Sequence, residues 1–175
     1  MANRIVAGLA AGAAGTMALN VAGYLDMLVR GRSASTLPGD VAGRLADEIG
    51  LPLDFDLEID AAAKDVDTDD DDDDGGEVDQ RVANRQEALG ALLGYSNGLA
   101  LGVAYGLIRL ALPRPPAWLA GALLGGLAMA ASDYPSTRLG LTDPQTWSGA
   151  DWLADIVPHM AFGVVTAATF EAINK

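Results

Sequence analysis

The sequence contains no cysteine and only one histidine, and these two shortages narrow the chemistry that the chain can perform. Without cysteine there is no disulfide framework, no thiolate nucleophile and no cysteine-ligated zinc or iron–sulfur centre. The single histidine, His159, excludes the histidine clusters that hold many catalytic metals. Because no metal-ligand set and no phosphate-binding loop is evident, we predict neither an enzyme nor a bound cofactor or metal.

Basic side chains are also scarce. Lys and Arg together number 11 against 24 Asp and Glu, which gives a formal charge of −13. Nucleic-acid affinity depends largely on neutralising backbone phosphates, so a chain this acidic is not expected to have a nucleic-acid partner. The abundance of Asp and the preference for Arg over Lys are typical of a salt-loving or high-GC organism.

Long apolar runs, in contrast, are abundant, although the mean hydropathy of +0.21 hides them. Charged residues concentrate between Arg30 and Glu87, and the remaining sequence contains stretches long enough to cross a bilayer core of ~30 Å. We predict an all-α, polytopic protein of the inner (plasma) membrane with four transmembrane helices, at about 5–29, 86–112, 115–134 and 151–173. The alternatives are a cleaved signal peptide for the first run and a soluble Ala/Gly-rich bundle for all four.

Small residues dominate these runs. The second run carries a glycine at every fourth position, which places all five on one slowly drifting helix face: Gly90, Gly94, Gly98, Gly102 and Gly106. In lipid, small residues allow helix backbones to approach closely. We therefore predict a tightly packed bundle, with packing inside the chain favoured over a homo-oligomer.

The first two predicted spans are separated by a strongly acidic connection. Residues 51–80 are rich in Asp, and self-repulsion predicts a disordered loop there. Asp70 to Gly75 resembles the start of an EF-hand loop, but the twelfth position is Arg81, where a calcium loop needs a bidentate Glu. We expect loose cation condensation rather than a calcium site.

Four alternating crossings would bring several polar side chains to the membrane side that carries the acidic loop. We identify Asn20, Asp133, Asp155 and His159 as lining a candidate polar vestibule. Asp155 and His159 are one helical turn apart, so their side chains can touch. Pro158 lacks an N–H and should free the carbonyl of the preceding turn. The competing interpretation is that each of these groups is satisfied locally and has no functional role.

The first helix and the last third of the sequence resemble the YagU-like family of bacterial inner-membrane proteins. The resemblance rests on the run from Trp118 to Leu123, on Asp133-Tyr-Pro135, on Gly140-Leu-Thr-Asp-Pro144 and on Pro158-His159-Met160. The acidic insert is unmatched, and this chain is poorer in aromatic residues than the family. Because the biochemistry of that family is undefined, the resemblance implies a location and an architecture rather than a mechanism.

Two functions from different classes follow from these features. The first is a membrane protein that assists the movement of protons or a small solute through the polar vestibule. The second is a structural or accessory subunit that docks a membrane-protein partner through its glycine-lined helix face. The orientation in the bilayer stays open, because the Lys and Arg count favours a cytoplasmic loop whereas the resemblance favours cytoplasmic termini.

Overall fold

The computed structural model describes residues 2–55 and 74–174. These residues form five α-helices and one 3₁₀ turn, with no strand among them: α1 (Ala2–Arg30), α2 (Leu37–Glu48), α3 (Asp74–Ala111), α4 (Ala117–Arg138), the 3₁₀ turn Pro144–Thr146 and α5 (Gly149–Ile173). The prediction of an all-α chain is confirmed for the described part.

Three of the helices are long and apolar enough to cross a membrane. They cover Asn3–Arg30, Val78–Ala111 and Gly149–Ile173. The span predicted at 115–134 corresponds to α4, which does not belong to this set of described helices. Its last turns contain the polar residues Ser132, Asp133 and Tyr134.

The four long helices alternate in direction. Near the start of α1, Gly8 lies against Gly102 of α3, and one turn later Gly12 lies against Gly98, so α1 and α3 are antiparallel. Residues of α1 likewise meet α5 in reverse order, since Gly15 faces Thr166 and the end of α1 reaches the start of α5. Gly121 and Gly125 of α4 meet α5 in the same antiparallel sense. Both described chain ends therefore lie at one end of the molecule, here called the terminal end, and the opposite end is called the loop end.

The interior is built mostly from small side chains. Ala7 and Ala11 of α1 are almost completely buried and share one cluster with side chains from the other long helices: Tyr105, Ala120, Leu124, Ala167 and Phe170. The rings of Tyr105 and Phe170 meet edge to face, with centroids 5.1 Å apart. Small residues thus bring the helices close together, and a few aromatic rings fill the remaining space.

Helix α2 packs on α3 with its small-residue face. Gly39 and Gly43 approach the backbone and side chain of Gln86, and Ala42 and Ala46 are buried. The larger apolar side chains of this region point outward instead: Leu45, Ile49, Leu51 and Phe55 are exposed. An amphipathic helix with an unburied apolar face suits the surface of a bilayer.

The largest difference between the sequence-based boundaries and the structure is at the start of α3. Helix α3 begins at Asp74, about three turns before the predicted start at 86, so the end of the segment 51–80 is helical. The rest of the predicted disordered loop, from 56 to 73, lies outside the described residues, as does most of the EF-hand-like run. Helix α5 continues through Pro158 from Gly149 to Ile173.

Candidate functional site

The imidazole of His159 is held by the residue one turn before it. Nδ1 lies 2.8 Å from the backbone oxygen of Asp155 and 3.1 Å from its carboxylate atom Oδ1. Both of these atoms are acceptors, so Nδ1 carries a hydrogen and donates it. The two side chains are largely buried, with 12% and 20% of their surfaces exposed for His159 and Asp155.

The other ring nitrogen of His159 reaches across to α4. Nε2 lies 3.4 Å from the hydroxyl of Ser132, whose Oγ is also 3.2 Å from Oδ1 of Asp133 and 2.9 Å from the backbone oxygen of Met129. A serine hydroxyl has one hydrogen to donate. Three acceptors therefore compete for that hydrogen, and Ser132 connects the imidazole with the carboxyl group of Asp133.

The carboxyl groups of Asp133 on α4 and Asp155 on α5 lie close to each other. Two negative charges at short range repel, so this closeness favours a proton on one of the two groups. Oδ2 of Asp155 is buried and has no hydrogen-bond partner among the described residues. We call Ser132, Asp133, Asp155 and His159 the polar ring.

Local sequence explains how α4 and α5 present the polar ring. Pro158 cannot donate to the carbonyl of the preceding turn, and the next carbonyl, that of Asp155, accepts from the imidazole. Gly125 allows the backbone of His159 to approach α4, because a methyl group there would lie 2.7 Å from the His159 oxygen. Asp155 and His159 are roughly 9 and 15 Å along α5 from Gly149, at ~1.5 Å per residue.

The polar ring has one exposed member, and the helices are tightly packed between the ring and the terminal end. Ser132 is exposed, whereas the residues that follow His159 toward the terminal end include the fully buried Phe162. At Gly163 an added methyl group would lie 2.0 Å from the oxygen of Gly121. The backbones of α4 and α5 therefore touch directly on the side of the ring that faces the terminal end.

The predicted vestibule residues are only partly assembled. Asp133, Asp155 and His159 lie close together, while Asn20 is half-buried on α1 and forms no side-chain hydrogen bond within the described part of the chain. Ser132 was not identified from the sequence. Its position next to Asp133 in the sequence could have suggested a role at this site. Its contact with His159, however, depends on the rotation of α4 about its axis, which the sequence does not give.

The glycines of α3 face different neighbours. Gly90 approaches Pro38 of α2, and Gly98 approaches the side chain of Thr16. Gly102 and Gly106 approach the α1 backbone. Gly94 is exposed and has nothing within 4 Å of the position a Cβ would take.

A second charged cluster, at the terminal end, was also not predicted. Glu171 accepts hydrogen bonds from Nε of Arg109 at 2.9 Å, from Nε of Arg114 and from the hydroxyl of Tyr105 at 3.4 Å. Arg4 donates to the backbone oxygen of Arg109. We call Arg4, Arg109, Arg114 and Glu171 the arginine cluster.

One motif that the sequence analysis overlooked has an unsuitable setting. Gly94 to Gly98 reads G-x-S-x-G, the pattern of a hydrolase nucleophile elbow. That elbow requires a sharp turn between a strand and a helix, whereas Ser96 lies in the middle of α3 and is exposed. The pattern therefore does not indicate a nucleophile here.

The geometry defines an all-α chain with three membrane-length apolar helices and a polar ring between two of its long helices. Within residues 2–55 and 74–174, no three His, Asp or Glu side chains are arranged to hold a metal ion. No family model, curated protein or solved structure matches this chain. The resemblance to the YagU-like family stays a prediction.

Proposed function

We propose that this chain is an integral protein of the inner (plasma) membrane that crosses the bilayer four times and assists proton movement through the polar ring. The observation that carries the proposal is that α4 and α5 bring the carboxyl groups of Asp133 and Asp155 close together beside His159, because two like charges at short range favour a proton on one of them. Ionisable groups at membrane depth are expensive and commonly mark a relay or a pathway.

Helix direction supports the fourth crossing. Helices α3 and α5 both run antiparallel to α1, so they run in the same direction as each other. A chain that leaves α3 at the terminal end must return to the loop end before it can enter α5. Helix α4 makes this return while packed along α5, and a tightly packed glycine-lined bundle of four spans accounts for the arrangement.

A proton fits the polar ring better than a larger solute does. Ser132 links His159 to Asp133, and its single hydrogen has three acceptors within reach. Hydrogens can therefore be redistributed among these groups with little movement of heavy atoms. Between the ring and the terminal end, α4 and α5 are in direct contact at Gly121 and Gly163, and this contact blocks a path between the two helices. Transfer across the bilayer would therefore require α4 and α5 to separate there.

Proteoliposomes containing a pH-sensitive dye test this function. Under a potassium diffusion potential, the wild type should acidify or alkalinise the lumen, while Asp155→Asn and His159→Ala should reduce the flux to that of protein-free vesicles. Asp143→Asn is the matched control, because Asp143 is an exposed acidic residue at the same end and Asn can replace it as a helix cap. Wild-type flux in both ring variants, with unchanged unfolding midpoints, would reject the proposal.

The second candidate, an accessory subunit that docks a partner through its glycine face, is favoured by one observation. Gly94 is open, and Leu92, Leu93 and Tyr95 beside it are exposed. The other four glycines already face neighbours within the chain. Three results together would favour this candidate over proton movement. The wild type would show no flux, it would purify in mild detergent as a stoichiometric complex with a partner, and the Gly94→Leu variant would purify without that partner.

A further inference from the structure

The terminal end carries more positive charge than its own acidic groups can neutralise. Arg109 at the end of α3 and Arg114 in the connection before α4 both donate to one carboxylate, that of Glu171. Arg4 at the start of α1 joins them by donating to the backbone oxygen of Arg109. Among the described acidic residues, Glu171 is the only one in the helix ends and the connection that form this end.

The three guanidinium groups also keep hydrogen-bonding capacity. Each guanidinium has five N–H donors in a planar fork that matches phosphate oxygens. The three groups together make four hydrogen bonds with the described residues. Arg114 is accessible, with 57% of its side chain exposed, whereas Arg109 is 11% exposed and sits behind it on the same carboxylate.

The position of the cluster corresponds to the depth of lipid headgroups. Arg4, Arg109 and Glu171 all lie within a turn of a helix end, and Arg114 lies just before α4. Trp118, in the first turn of α4, is 72% exposed, as expected for a ring at the membrane interface. Helix α4 also begins without a side-chain cap, so its first N–H groups favour an anion nearby.

We propose that the arginine cluster binds the phosphodiester headgroup of an anionic phospholipid, with Arg114 as the principal contact and Glu171 as an internal competitor for the same guanidinium groups. The proposal rests on the membrane placement in the proposed function, but not on proton movement. A lipid is favoured over a soluble phosphate because the cluster borders the exposed apolar side chains Leu110, Leu112 and Trp118, against which acyl chains can pack.

Native mass spectrometry of delipidated protein, titrated with phosphatidylglycerol or phosphatidylcholine, tests the assignment. The wild type should retain phosphatidylglycerol preferentially. Arg114→Gln should weaken that retention about fivefold, the effect of removing one basic side chain worth ~1 kcal/mol near an anionic lipid surface. Arg138→Gln is the matched control, because Arg138 is exposed in the last turn of α4 at the opposite end.

Glu171→Gln separates lipid binding from a merely structural role. If the carboxylate competes with the lipid, its removal should strengthen retention of phosphatidylglycerol, the opposite of the Arg114→Gln effect. Equal loss in both variants would indicate a structural ion pair and overturn the proposal. Equal retention of the two lipids, or displacement of phosphatidylglycerol by millimolar inorganic phosphate, would overturn it as well. Proton flux in the Asp155→Asn variant is measured separately, so either proposal can fail without the other.

Discussion

Single glycines determine how closely the helices approach, and their surroundings differ sharply along one helix. At Gly102 the backbone of α1 fills the place of a side chain: an added Cβ would lie 2.2 Å from the oxygen of Gly8 and 2.7 Å from Cα of Gly12. At Gly94, two turns earlier on α3, the same position is open. The same residue type thus packs against a neighbouring helix at one position and against none of the described residues at the other.

We expect Gly102→Ala to destabilise the protein by about 1–3 kcal/mol, because a methyl group would push two backbones apart. Gly94→Ala is the matched control and should be neutral or stabilising by up to ~1 kcal/mol, since alanine loses less chain entropy than glycine in a helix. Unfolding midpoints in detergent micelles measure both. Equal midpoints for the two variants would contradict the close α1–α3 contact.

A buried hydroxyl shows a related effect of glycine. Oγ1 of Thr166 is fully buried and has no conventional hydrogen-bond partner among the described residues, but it lies against Gly15, where a Cβ would be only 2.0 Å away. The Cα–H groups of a glycine can serve as weak donors to such an oxygen. Gly15 therefore both makes room for the threonine and offers it a polar contact.

Among the helices, α5 has the best-defined beginning. Ser148 and Asp151 form a capping box, in which the Ser148 hydroxyl accepts from the Asp151 N–H at 3.2 Å and the Asp151 carboxylate accepts from the Ser148 N–H at 2.9 Å. Arg30 at the end of α1 donates to the nearby Ala150 oxygen at 3.0 Å. The capping box and the hydrogen bond from Arg30 therefore hold in place the start of the helix that carries Asp155 and His159.

Ser148→Ala should destabilise the start of α5 by ~1 kcal/mol. The variant loses both hydrogen bonds of the Ser148 hydroxyl, the one accepted from the Asp151 N–H and the one donated to the Asp151 carboxylate. Hydrogen exchange over residues 148–152 should accelerate about fivefold, as follows from that free energy. Thr36→Ala provides the comparison, since Thr36 occupies the cap position of α2 without a side-chain cap bond. If both variants leave exchange at their own helix starts unchanged, the capping box does not stabilise α5.

At the level of helices, the sequence predicted the elements better than their contacts. Apolar runs located α1 and α5 within a few residues, but α3 extends into an acidic stretch with Gly75 and Gly76, where intrinsic propensity opposes a helix. The antiparallel arrangement of α4 and α5 brings Asp133 near Asp155. Helix rotation decided which neighbours joined them, and a periodic pattern on one helix carries no information about the rotation of its partner. For this reason Ser132 was missed and Asn20 was included.

The described residues are unevenly distributed in charge between the two ends. Among them, the terminal end combines the arginine cluster with a single acidic side chain, that of Glu171, whereas Asp26, Asp133 and Asp151 lie toward the loop end. At the loop end, Arg30 and Arg32 both pair with the carboxylate of Asp26 at 2.5 Å. Basic side chains are therefore partly neutralised at one end and in excess at the other, which provides an electrostatic basis for a fixed orientation in a membrane.

Four crossings predict on which side of the membrane each helix end and connection lies. Single introduced cysteines can test this, because the natural chain has no cysteine to interfere. Asn3→Cys and Leu112→Cys should react with a membrane-impermeant maleimide from one side, and Ser33→Cys and Gln145→Cys from the other. All four positions are exposed and lie at the ends of helices or in connections. With only the three most apolar helices crossing, position 145 would instead label together with position 112. That outcome would remove α4 from the bilayer, and the closeness of Asp133 and Asp155 would no longer indicate proton movement across a membrane.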